Sequence, residues 1–172
     1  MRFIRQPTSI SCGPTAVLNV LKWAGIEANL SHFPLLEFSC QTVDFSDPNN
    51  FEKNGTTDHD FDRVLRYVTK AFLKVRRNKR PSFKKIIEHL YTGESIVLSY
   101  RWEEDGQFGD HFCFLAGMKN GLIVCVNDHN AHDKNPNLRR KTTIKQWLKK
   151  GLPYAWFLTR VKQDSDLPKT SA

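Results

Sequence analysis

The chain has no long apolar stretch, few cysteines and a shortage of acidic residues, and each lack removes a class of protein. The four cysteines among 172 residues, at positions 12, 40, 113 and 125, form no Cys-x-x-Cys pair. Their spacing fits neither a zinc ribbon nor a dense disulfide framework, and in a cytoplasmic chain they read as free thiols. No run approaches the roughly 20 apolar residues that a membrane-spanning helix requires. The opening Met1-Arg2-Phe3-Ile4-Arg5-Gln6-Pro7 lacks the apolar core of a secretory signal, so a cytoplasmic protein is the expectation. There is no internal repeat and no long low-complexity segment. Residues 163–172, polar and carrying Pro168, read as a tail on one domain spanning 1–162.

Acidic residues number 18 against 26 lysines and arginines, a formal charge of +8. Much of the excess sits in two runs, Lys74 to Lys85 and Arg139 to Lys150. Such a balance permits an acidic partner. Neither run has the aromatic or glycine-rich interleaving of RNA-binding segments, so nucleic acid is disfavoured as a partner and a solvated basic face is the plainer reading.

What is present falls into two halves with different periods. Helical stripes come first. Ala16, Val17, Val20, Leu21 and Ala24 form one behind Cys12-Gly13-Pro14, with Ser11 as N-cap, Pro14 in the first turn and Gly25 as the stop. Phe61, Val64, Leu65 and Val68 form a second, opening at Thr57 with Asp58 and Asp60 in its first turn. Phe83, Ile86, Ile87 and Leu90 form a third, stopped by Gly93. Strands follow at Ser95 to Trp102, His111 to Met118 and Leu122 to Asn127, then a short helix near Thr143 to Lys149 and a closing strand from Pro153 to Val161. Lys119-Asn120-Gly121 joins two of the strands as a hairpin. Glu103 to Asp110 and Asp128 to Asn137 read as polar loops. Helices followed by antiparallel strands predict an α+β fold, with the helices packed on one side of a sheet.

Four residues carry candidate chemistry. Cys12 stands directly before a helix, where unpaired N–H groups and the dipole favour the thiolate and offer donors to an oxyanion. As plain structure it would be one more small buried residue. Gln6, six residues earlier, is a candidate second oxyanion donor through its amide. His111 opens an apolar strand and is placed to act as base toward a thiol. The hairpin should bring Asp128 level with His111, where a carboxylate would hold the imidazole in one tautomer. Asn127 is the alternative orienter, pointing to the other face of a regular strand. A competing cluster, Asp128, His129, His132 and Asp133, offers metal-ligand types, but its spacing matches no common site and a solvated loop is the simpler reading. No cofactor is expected.

Together these segments resemble the papain-like peptidases of the bacteriocin-processing, double-glycine leader family. The carrying residues are Gln6 with Cys12-Gly13-Pro14-Thr15-Ala16, Gly55-Thr56-Thr57 before a helix, Ile87 to Ser99, Gly109-Asp110-His111-Phe112 and Val126-Asn127-Asp128. The order and spacing cover most of residues 1 to 160. The resemblance implies a single α+β papain-like cysteine proteinase domain. It also implies a Cys12–His111–Asp128 triad with Gln6 at the oxyanion hole, and a peptide or protein substrate cleaved through a thioester. Amidase or acyltransferase chemistry on the same triad is the near alternative. A silent papain-like module binding a partner through its basic surface is the distant one. Two departures stand out. His129 occupies a position that is commonly proline in that family, and the coupling to an export transporter seen in many of its members is not implied for this chain.

Overall fold

A computed structural model describes residues 3–7, 11–28, 30–32, 56–104, 106–128 and 136–161. Helix α1 (Cys12–Trp23) buries Val17, Leu18 and Val20 completely. It stops where Gly25 turns to a φ of +83° and its N–H reaches the Lys22 carbonyl at 3.1 Å. A 3₁₀ turn follows at Leu30–His32. Helix α2 (Asp58–Thr69) is capped by Thr57, whose hydroxyl accepts the Asp60 N–H at 3.1 Å. Helix α3 (Phe83–Tyr91) is capped by Ser82 on the Lys85 N–H, and α4 (Lys141–Trp147) is a short helix that buries Ile144 and Trp147.

Six strands form one antiparallel sheet: β1 (Leu73–Lys79), β2 (Ser95–Glu104), β3 (Gln107–Lys119), β4 (Leu122–Val126), β5 (Asn137–Arg139) and β6 (Tyr154–Arg160). Their spatial order is β1-β6-β2-β3-β4-β5. Two strands, β1 and β5, lie where the sequence reading had a basic run and a polar loop. The supposed loop 103–110 is largely a ribbon, with Arg101 opposite Asp110 and Trp102 opposite Gly109. A two-stranded ribbon that projects into water needs no apolar alternation, which is why its polar residues read as loop.

The helices occupy both faces of the sheet, not one. On the first face α1 and α2 meet Val97, Phe112, Phe114, Trp156 and Leu158. On the second, α3 and α4 meet Ile96, Leu98, Cys113, Leu115 and Phe157. Strand β2 carries the cause in its sequence. Ile96, Val97 and Leu98 are all fully buried, and consecutive apolar residues in a strand need cover on both sides.

Candidate active site

Cys12 is the first residue of α1, and its side chain is almost wholly covered. Ser11 precedes it but makes no side-chain capping bond; the first turn closes through the Ser11 carbonyl, which accepts the Thr15 N–H at 3.1 Å. Two opposed effects act on the sulfur. Burial pushes the thiol pKa up and is the larger. Main-chain N–H groups of Phe112, Gly13 and Cys12 itself pull it down, and the nearby charge of Asp110 pushes it up again. The balance lies above the ordinary thiol value. The sequence reading, which took the helix terminus to favour the thiolate, is corrected by desolvation: the donors are in place, but the site is dry.

Phe112, whose N–H meets the sulfur, is the residue next to His111. Alternation along β3 turns the His111 ring to the second face, where it stands edge-on to Tyr100 at 5.8 Å, and Tyr100 in turn stacks on Trp147 at 4.2 Å. Thiol and imidazole thus reach the site from opposite faces of one strand. His111 Nε2 lies 2.5 Å from the Asn127 carbonyl oxygen. A carbonyl only accepts, so Nε2 carries hydrogen there and Nδ1 is the acceptor nitrogen of the neutral ring.

The ends of β3 and β4 do come together. An irregularity after Leu115 puts Phe114 opposite Val126. The contact to the imidazole is made by the Asn127 main chain, however, and not by the Asp128 carboxylate. Asp128 is fully buried, and its two oxygens accept from Asn137 Nδ2 at 3.0 Å and from Arg139 Nε. Asn127 has a φ of +52°, which leaves the strand and swings its side chain toward the N-terminal segment. There Nδ2 donates to the Ile4 carbonyl at 2.8 Å, and Oδ1 accepts the Gln6 N–H at 3.2 Å. Asn19, buried in α1, clamps Ile4 from the other side through both its N–H and its carbonyl. The half-buried Gln6 is therefore tied to Asn127, the residue that meets His111.

A pocket of 580 Å³ is lined among others by Thr56, Asp58, Ser99, Tyr154 and two residues that act on the Cys12 sulfur, Asp110 and Phe112; Cys12 itself is not on its wall. Burial raises the Asp58 pKa, while a hydrogen bond from Ser99 and the charge of Arg77 lower it. Gly13 is required here: a Cβ on it would stand 2.3 Å from Thr56 Oγ1. Of the metal-type cluster, His129, His132 and Asp133 fall outside the described residues, as does Cys40. Arg139, Asn137 and Asn19 support the site without a signal in the sequence. Asn127 is the alternative orienter of the sequence analysis, but it meets His111 through its main-chain carbonyl and not its side chain.

No family model and no curated protein matches the sequence. The fold does recur among solved structures. The peptidase domain of Streptococcus ComA, a bifunctional ABC transporter involved in a quorum-sensing pathway, is 16% identical with a TM-score of 0.54, over 92% of this chain and 97% of that one. A C39-like peptidase from Bacillus anthracis is 15% identical with a TM-score of 0.63, over 94% of each chain. A double-glycine-motif protease from an AMS/PCAT transporter, solved with its leader peptide, is 14% identical with a TM-score of 0.58, over 92% of this chain and 91% of that one. At such identities the likeness establishes the fold alone, the papain-like α+β fold that these three structures share.

Proposed function

We propose that the chain is a cysteine peptidase that cleaves peptide bonds through a thioester on Cys12. The observation that carries the reading is the convergence of main-chain N–H groups on the Cys12 sulfur at the start of α1, within a fold shared with peptidase domains. In this reading His111 Nδ1 takes the Cys12 proton as the sulfur attacks the substrate carbonyl. In the structure the ring rests against Tyr100 on the far face of β3, so this transfer requires it to swing toward the sulfur when substrate binds. The oxyanion is held by the Cys12 N–H and the Gln6 amide. Collapse of the intermediate expels the amine, which takes its proton from His111, and water then hydrolyses the thioester.

Asp128 acts here as a positioning residue. Its carboxylate is pinned by Arg139 and Asn137, and its own peptide bond carries the Asn127 carbonyl that holds His111. Fixing that peptide plane fixes the ring and its tautomer. The described cysteines, Cys12, Cys113 and Cys125, are free thiols, and no helix among the described residues is long and apolar enough to cross a membrane. A cytoplasmic enzyme is part of the proposal.

A second reading, a module without turnover that binds through its basic surface, has one observation in its favour. Helix α4, from the second basic run, packs its lysines on α3, with Lys145 over the Phe83 ring and Lys141 bonded to the Tyr91 hydroxyl. One experiment separates the two. Because a structural neighbour is a double-glycine-motif protease, the probe is acetyl-Gly-Gly chloromethyl ketone, with mass mapping of the adduct. The peptidase reading expects a single adduct on Cys12, lost in Cys12→Ala together with peptide hydrolysis. No adduct on Cys12, or hydrolysis that survives Cys12→Ala, ends it.

A further inference from the structure

Helix α2 carries acidic residues at three alternate positions, Asp58, Asp60 and Asp62, and the fold matches two of them with cations. Asp60 accepts from the Thr57 hydroxyl at 2.7 Å and pairs with Arg63 at 3.4 Å. Asp62 pairs with Arg66 at 3.0 Å and accepts the Trp156 indole N–H at 2.7 Å. Asp58 differs. The cap of α2 is closed by Thr57 and Asp60, and the Asp58 carboxylate turns instead to the sheet, where it accepts a hydrogen bond from Ser99 on the wall of the 580 Å³ pocket. It is half-buried there and has no ion pair among the described residues. The cations nearby are engaged elsewhere. Arg101, on the same wall, gives Nε and Nη2 to Asp110 at 3.2 and 3.3 Å. Arg77 acts on Asp58 through its charge alone; it lies over the Tyr154 ring, 4.2 Å from the centroid, and is not on the wall. The pocket thus presents one carboxylate without a paired counter-ion, an arrangement that burial makes unfavourable until a cation enters.

We infer that this is a specificity pocket, which takes a lysine or arginine side chain of the peptide substrate and pairs its cation with Asp58. The inference rests on the reading of Cys12 as nucleophile. Phe112 joins the two places: it is on the pocket wall, and its N–H meets the sulfur. The residue held in the pocket is therefore a near neighbour of the cleaved bond, within about three residues of an extended chain that advances ~3.4 Å per residue. The rest of the lining suits a long basic side chain. Phe112 and Tyr154 offer rings to the methylene stem, and the half-exposed Leu152 offers it an aliphatic edge. Aromatic walls also favour a cation over a neutral group of the same length. An acidic side chain would meet Asp58 as a like charge, and an apolar one would leave the carboxylate drier and still unpaired.

The test is cleavage of a mixed-sequence peptide library by wild type, Asp58→Asn and Cys12→Ala, with the products read by mass spectrometry. One cleaved peptide is then made with lysine and with norleucine at the selected position. Norleucine keeps the stem and lacks the charge; asparagine keeps the size and can still accept from Ser99. Wild type should enrich lysine and arginine at one position near the cut. It should cleave the lysine peptide with a kcat/KM roughly 10- to 100-fold above the norleucine peptide, the range for one charge-assisted hydrogen bond. Asp58→Asn should lose the enrichment and bring that ratio to about 3-fold or less, chiefly by slowing the lysine peptide. Asp58→Glu should restore part of it. If Asp58→Asn does not fold, Asp58→Ser takes its place, since serine is well tolerated at a helix start. A wild type that cleaves both peptides equally overturns the inference and leaves the peptidase reading standing. A basic preference that the neutral variant retains does the same. If all hydrolysis by the wild type survives in Cys12→Ala, or there is none, the peptidase reading fails and takes this inference with it.

Discussion

A sulfur ringed by N–H donors is usually read as a thiolate, and Cys12 marks the limit of that rule. The donors from Phe112, Gly13 and Cys12 itself lower its pKa, yet burial outweighs them and the net shift is upward. A helix terminus stabilises an anion only as far as it replaces the water that burial removes. The consequence has a definite sign. With its pKa raised, Cys12 is protonated at neutral pH, and its thiolate fraction climbs about tenfold per pH unit until the raised value is reached. Iodoacetamide should therefore modify folded Cys12 at a rate that still rises with pH beyond the point where the same cysteine levels off in urea. The two pH–rate curves, followed by mass mapping, give the check. A folded-state rate that is flat through neutrality would mean that His111 already holds the proton, and that a preformed ion pair overrides desolvation. Stability follows the same linkage. The contribution is fully present below the unfolded thiol pKa and is lost as pH rises through the folded one. Cys113 is pushed well above the usual thiol range, first by complete burial and then by Cys125 and Asp128, so it should label last.

Just past the end of β4, Asp128 pairs with Arg139 of β5, one peptide bond from the Asn127 carbonyl that meets the imidazole. The Asp128 side chain is fully covered and that of Arg139 is 27% exposed. Removing one member of a buried pair costs more than removing both, because the survivor is left charged and dry. Arg139→Met, which keeps the stem and loses the charge, should destabilise by about 3–5 kcal/mol at most, with Asn137 alone left to Asp128. Adding Asp128→Asn should return a large part of that loss. Urea titrations of the two singles and the double give the coupling, and a double mutant no better than Arg139→Met would mean that the two residues act independently. None of this pairing was legible in the sequence, because β5 has three residues and its reason to be a strand lies in β4. Strand β1 was hidden in another way. Its Arg76 and Arg77 lie over the rings of Phe157 and of Tyr154 and Trp156, so the apolar partner of each position is supplied by β6, 77 to 81 residues later in the chain, and the run itself reads only as charge. Helices α1, α2 and α3 were legible, since each writes its buried stripe and its boundary signals into its own dozen residues or fewer. The site divides in the same way. Cys12 and Gly13 announce themselves locally, whereas the part Asn127 plays depends on a φ of +52° that no local pattern encodes.

At the scale of the molecule the sheet is a shared wall between two cores, and the site draws on both. Phe61 of α2 stacks on Phe112 at 4.5 Å and meets Trp156 edge-on at 4.7 Å, which closes the first core behind Cys12. Tyr100 and Trp147 stack at 4.2 Å in the second, behind His111. Neither core can be lost alone, because β2, β3 and β6 alternate their side chains between the two. Val97, Phe112 and Trp156 face one way; Leu98, Cys113 and Phe157 face the other. Unfolding one layer would strip one face of three central strands and leave it in water. The domain should therefore unfold as one cooperative unit even though its helices lie in two separate layers. Phe61→Ala should cost about 3–5 kcal/mol and Ile144→Ala about 2–5 kcal/mol, from opposite sides of the sheet. Each should shift the urea midpoint without changing the slope of the transition. Tryptophan emission, with Trp156 in one core and Trp147 in the other, should move together with far-ultraviolet circular dichroism in both variants. Separate transitions, or a slope that falls in Ile144→Ala alone, would show that the α3–α4 layer is a dispensable half. In that case the His111 side of the site could loosen while the Cys12 side stayed folded.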